Sequence, residues 1–140
     1  MSNGPNLGRL LREPFREMTE HIHARLAEQG HPQIRVAHGN VFQFLDDEGT
    51  RVSDLAARAQ ITKQSMGELV AHLEAHGYVE RVPDPSDGRA KLVRPTASGQ
   101  GVYPLAVEAI AEVEARWAER IGGAKLRRLR ELLEELSARA

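Results

Sequence analysis

Leu7, Leu11, Phe15, Met18, Ile22 and Leu26 recur at spacings of four and three, which puts them on one face of a helix. Pro14 lies inside the run without the N–H a helix interior uses, so the helix kinks there or its regular part begins near Glu13. Gly30, His31 and Pro32 end it. A second helix is expected from Gln33 to about Asp46, with Ile34, Ala37, Val41, Phe42 and Leu45 turned inward. Ser53-Asp54-Leu55-Ala56-Ala57 reads as an N-cap, an acidic first turn and a short helix. Gln60 and Ile61 form a turn, and Thr62 caps a third helix that runs through His76. Ile61 and Met66 are spaced for a hydrophobic staple across that cap. Met66, Leu69, Val70 and Leu73 share a face, and Gly77 is a C-terminal stop.

Beyond Gly77 the period changes. Tyr78 to Val82 is rich in strand formers, Pro83 to Gly88 is a polar loop, and Lys91-Leu92-Val93-Arg94 is the returning strand, stopped by Pro95. The two strands make a hairpin with a long polar tip. Thr96 caps a long helix carrying Val102, Ala106, Ala109, Ile110, Val113, Trp117 and Ile121 at helical spacing, bent early by Pro104. Gly122-Gly123 breaks it, and Leu126, Leu129, Leu133 and Leu136 form a short heptad-like seam. The predicted fold is mainly α with a small β-hairpin.

Composition narrows the function classes. Apolar residues make up 41% of the chain and charged residues 28%, as in a globular domain with a core. No run of eighteen apolar residues suggests a membrane span, and Met1 to Pro5 has no signal-peptide pattern. The absence of cysteine removes disulfides, thiolate metal sites and thiol switches. A cytoplasmic location is expected. The net charge of −1 is not that of a basic nucleic-acid binder, but Arg81 to Arg94 holds Arg81, Arg89, Lys91 and Arg94 against only Asp84 and Asp87.

A short helix joined by a tight turn to a capped helix, followed at once by a hairpin, is the order of a winged helix-turn-helix. A helix of this kind fits the major groove, about 12 Å wide. Opposite its apolar face it presents Gln64, Gly67, Glu68 and Ala71. Gln64 suits an adenine edge, and Gly67 and Ala71 permit close approach. Glu68 repels phosphate but accepts from a cytosine amino group. Thr62, Lys63 and Ser65, at the positive end of the helix dipole, suit phosphates. Ser53 on the preceding helix and Arg81 and Lys91 on the hairpin complete the DNA-facing set.

From Val52 to Gly99 the sequence resembles the MarR family of bacterial regulators. The matching residues are Leu55-Ala56, Thr62-Lys63-Gln64, Leu73-Glu74-x-x-Gly77-Tyr78-Val79-x-Arg81, Asp84-Pro85-x-Asp87-x-Arg89 and Thr96-x-x-Gly99. The resemblance implies a winged helix-turn-helix with N- and C-terminal dimerisation helices. It also implies that Arg89 at the wing tip enters the minor groove, oriented by Asp87. Gly88 stands where the family often has a basic residue, and Pro95 where an aliphatic one is common.

The expected organisation is a single domain. Residues 33–95 form the DNA-binding lobe, and 1–32 with 96–140 a helical dimerisation region using Leu7, Leu11, Phe15, Leu126, Leu129, Leu133 and Leu136. The expected partners are double-stranded DNA, a second copy of the chain and, by resemblance, a small aromatic or anionic effector. That effector is placed in a cleft lined by Arg16, His38, Phe42 and Trp117. His72 and His76 are four apart, a spacing that holds zinc, but no third ligand is in register, so no metal or other cofactor is expected. No catalytic constellation is present. Two alternatives are a winged-helix module that binds protein without DNA and a zinc-responsive regulator.

Overall fold

The computed structural model describes residues 4–138; the sequence readings that fall on Met1 to Asn3, Arg139 and Ala140 lie outside it. The element order is α1 (Leu7–Glu28), a 3₁₀ turn (Val36–His38), α2 (Gly39–Phe42), α3 (Val52–Ala59), α4 (Lys63–Ala75), β1 (Val79–Asp84), β2 (Asp87–Pro95), α5 (Ala97–Ile121) and α6 (Gly123–Ser137). The architecture is mainly α with one antiparallel hairpin, as the sequence pattern predicts.

Local caps set most boundaries. Asn6 Oδ1 accepts the Arg9 N–H and starts α1 well before Pro14, which is carried inside a continuous helix. Thr62 Oγ1 accepts from Ser65 N and Thr96 Oγ1 from Gly99 N, starting α4 and α5 at the predicted caps. Gln60 takes the left-handed conformation (φ 58°) that turns α3 into α4.

Three expectations are corrected. The helix expected over 33–46 is only the 3₁₀ turn plus the single turn α2. Side chains, not helical carbonyls, take the leading amides: Arg35 N–H donates to His38 Nδ1 and Val36 N–H to His23 Nε2. His38 is thereby buried and Ala37 exposed, the reverse of the predicted facing. Helix α3 starts one residue before Ser53, with Arg51 at the N-cap, its side chain turned elsewhere. The hairpin has longer strands and a shorter tip than expected: Pro83 pairs with Lys91, and only Pro85 and Ser86 lie between the strands. An edge strand tolerates Pro83 because one side of a two-stranded ribbon needs no ladder donor.

The core joins Ile22 and Leu26 of α1, Val41 and Phe42 of α2, Leu55 of α3, Met66, Val70 and Leu73 of α4, Val79 and Val93 of the hairpin, and Val102 and Ala109 of α5. Helix α1 packs along α5. There His21 Nε2 and Arg25 Nε both meet Glu112 Oε1, at 2.8 and 3.0 Å, and Trp117 Nε1 donates to Glu17. Only the C-terminal half of the α1 stripe is covered by this chain: Leu7, Leu11 and Phe15 are 76%, 52% and 60% exposed.

Candidate nucleic-acid interface

Helix α4 turns Met66, Val70 and Leu73 into the core and leaves Thr62, Lys63, Gln64, Ser65, Glu68 and Ala71 exposed, with Gly67 half-covered. The predicted reading face is therefore solvent-facing, and Lys63 makes no ion pair among the described residues. The Thr62 hydroxyl is committed to the cap and donates to Ser65 Oγ at 2.9 Å. Ser53 lies in the first turn of α3 and is exposed.

The wing is fastened by the three residues before α3. Gly49 (φ 124°) passes so close to β2 that a Cβ would lie 2.8 Å from Leu92 Cβ. Thr50 forms a bridge to Val93, with N–H···O distances of 2.8 and 2.9 Å, as a minimal third strand. Arg51 then donates from Nε and Nη2 to Asp84 Oδ2, at 2.9 and 2.6 Å. Asp84 Oδ1 accepts the N–H and hydroxyl of Ser86, closing the hairpin tip. These donors, the Ser86 N–H first and then the Arg51 guanidinium, hold the Asp84 carboxyl down to about 2, so it is ionised at neutral pH.

Asp87 does not hold the Arg89 guanidinium as the resemblance implies. Its Oδ1 accepts the backbone N–H of Arg89 at 3.1 Å, and its Oδ2 lies 3.8 Å from Arg51 Nη2. The geometric reason is the two-residue tip, which aligns the carboxylate with the main chain. Arg89 and Lys91 are exposed and make no ion pair among the described residues. Arg81 is engaged by Glu74 of α4 (3.1 Å) and Arg94 by Glu80 (2.6 Å).

The four residues expected to line an effector cleft do not meet. Phe42 lines an apolar cavity between α1, α2 and α5, of about 220 Å³, with Met18, Ile22, Val102, Tyr103 and Ile110. Arg16 is on the outer surface of α1, paired with Glu13 and Glu20. His38 faces a different groove, against α4, with Arg35, Glu68 and His72. Trp117 belongs to a groove between α1 and α6, with Leu7, Leu11, Phe15, Leu129 and Leu133. The four lie on separate elements, which carry them to different faces.

Among the described residues, no three His, Asp or Glu side chains group to hold a metal. His72 instead stacks on His38, ring centroids 4.8 Å apart, and His76 meets the His72 ring at a tilt, centroids 4.5 Å apart. No helix among the described residues is long and apolar enough to cross a membrane. Sequence reasoning missed Gly49, Thr50 and Arg51. Their only local signal is a glycine two residues before a helix N-cap.

Comparison with known proteins fits this geometry. A model of the MarR family matches residues 33–90. The chain is 28% identical over 113 residues to the transcriptional regulator HosA of Escherichia coli O111:H-, covering 81% of each chain. It is 32% identical over 74 residues to the transcriptional activatory protein BadR of Rhodopseudomonas palustris, 53% of this chain and 41% of that relative's length. Its fold is similar to that of Staphylococcus aureus MepR in a DNA complex (TM-score 0.76, 19% identity, 95% and 97% of the two chains). It is also similar to that of CouR from Rhodococcus jostii RHA1 bound to p-coumaroyl-CoA (TM-score 0.73, 24% identity, 99% and 98%). The segment from residue 33 to 90, which holds the helix-turn-helix and the first part of the wing, thus matches the MarR family model, and over most of its length the chain is similar to a transcriptional regulator.

Proposed function

We propose that this protein is a sequence-specific repressor that binds duplex DNA as a homodimer and is released by a small molecule. The observation that carries the reading is the exposed polar face of α4, followed directly by a hairpin whose Arg89 and Lys91 have no ion pair among the described residues. In this reading residues 33–95 form the DNA-binding lobe, and 1–32 with 96–140 pair with a second copy. Gln64 and Glu68 read base edges in the major groove, while Thr62, Lys63, Ser65 and Ser53 lie along phosphates. Arg89 enters the minor groove, where A·T-rich DNA concentrates negative potential. Arg81 is tied to Glu74, so its share is to brace the wing against α4.

The effector site is the cavity beneath Phe42, whose apolar walls suit an aromatic ring and whose polar rim includes Arg35 and Gln43. CouR, with a similar fold, was crystallised with p-coumaroyl-CoA, which supports a small molecule as the releasing signal. A ligand there acts by favouring one relative placement of lobe and dimerisation helices over another.

The test is a titration of wild type and Arg89→Ala on the duplex upstream of the protein's own coding region, at several salt concentrations. Arg89→Ala should weaken binding by about 1–3 kcal/mol per wing and leave the fold intact. Equal affinity across the salt series, with both proteins dimeric, would remove the wing from the mechanism.

A further inference from the structure

We infer that Arg51 is a positioning residue for DNA binding: by clamping Asp84 it fixes the wing to the helix-turn-helix, so that Arg89 is presented to the groove in one place. The inference rests on the reading of Arg89 as a minor-groove contact. A two-stranded hairpin alone is marginally stable and free to swing about its base. This one is held by a second attachment at its far end. The Arg51 guanidinium spans from the N-cap of α3 to Asp84, the last residue of β1, with two donors on one oxygen at 2.9 and 2.6 Å. Asp84 is 7% exposed, although it lies at the tip of a solvent-facing hairpin, because Arg51 and Ser86 cover it. Charge-assisted bonds of this length are the stronger and more directional kind.

The clamp reaches Arg89 through two short links. Ser86 is closed onto Asp84 Oδ1, and Asp87, facing Arg51 Nη2 at 3.8 Å, takes the Arg89 N–H. Arg51 sits one residue before α3, and α3 packs on α4. The base of the wing is bound to the same segment through Thr50 and Gly49. Wing and α4 therefore move as one body. A signal from the dimerisation helices changes the placement of the whole lobe, not the angle of the wing within it.

The test uses full-length protein and a duplex that the wild-type dimer has selected from a randomised pool. Arg89→Ala, Arg51→Met, Arg51→Lys and the Arg51→Met/Arg89→Ala double variant are titrated on it. They are also titrated on a copy with its minor-groove-facing A·T pairs changed to G·C. Trypsin cleavage after Arg89 reports wing mobility separately from thermal unfolding. The expected result is that Arg51→Met weakens binding by at least about fivefold. It should lose discrimination between the two duplexes, accelerate cleavage at Arg89, and make the double variant no weaker than Arg89→Ala alone. Arg51→Lys, a point charge without the planar fork, should recover only part of the loss. Additive losses in the double variant would overturn the inference, since Arg51 would then touch DNA itself or act on overall stability. Normal binding by Arg51→Met beside weakened binding by Arg89→Ala would overturn the clamp alone. Normal binding by Arg89→Ala would overturn the clamp together with the reading beneath it.

Discussion

The ring of His38 lies flat against that of His72, with centroids 4.8 Å apart and planes 7° from parallel, and joins the turn before α2 to the last turn of α4. His38 is 3% exposed, and its Nδ1 is occupied by the Arg35 N–H. Burial first, and then the neighbouring His72, Arg35 and His76, push its pKa from 6.5 down to about 4. Glu68 faces the same groove from α4. Below pH 6.5 the unfolded chain takes up the proton that the folded chain refuses. Stability is therefore full above 6.5 and falls as the pH drops toward 4, with a slope approaching about 1.4 kcal/mol per pH unit from this group. Urea unfolding of wild type and His38→Gln between pH 7.5 and 4.5 should give curves that converge on acidification. Parallel curves would show that His38 titrates normally.

Gly99 sets the seat of α5. A Cβ there would stand 2.0 Å from the Tyr78 carbonyl oxygen, a backbone atom that cannot step aside, whereas one at Gly101 meets nothing within 4 Å. Gly99→Ala should cost at least about 2 kcal/mol or prevent folding, as overpacking against backbone does. Gly101→Ala should be neutral or stabilising by up to about 1 kcal/mol through helix propensity. Thermal denaturation of the pair checks this, and equal melting temperatures would contradict it.

Leu7, Leu11 and Phe15 on α1 and Leu129, Leu133 and Leu136 on α6 remain exposed in the single chain, more apolar surface than one copy can cover. Light scattering at micromolar concentration should give about twice the 15.5 kDa chain mass. Leu133→Asp should dissociate or unfold the protein, because it places an unpaired carboxylate in the seam. A wild-type mass of one chain would rule out the dimer.

Gln64 and Arg89 should fail in different ways. Gln64→Ala removes a base-edge contact and should relax preference at one or two major-groove positions, by about 1–3 kcal/mol at each, with little change in salt dependence. Selection from a randomised pool with each variant separates the two. An unchanged consensus from Gln64→Ala would take this side chain out of the readout.

The sequence determined whatever is written in local spacing and local hydrogen bonds. The caps at Thr62 and Thr96 lie within three residues of the amides they satisfy, and the apolar positions of α4 define its exposed face without reference to any other element. The order of elements follows from such signals. The segment 33–46 escaped because its amides are taken by imidazoles, one of them thirteen residues away in α1, and no helical period records such a bond. Packing decided the rest. It divided the single stripe of α1 into a buried half and a bare half, and sent Arg16, His38, Phe42 and Trp117 to different faces. It also brought Arg51 to Asp84 across 33 positions of sequence. Periodicity gives each residue's direction about its own axis, but which elements those axes are laid against is fixed only when the core closes.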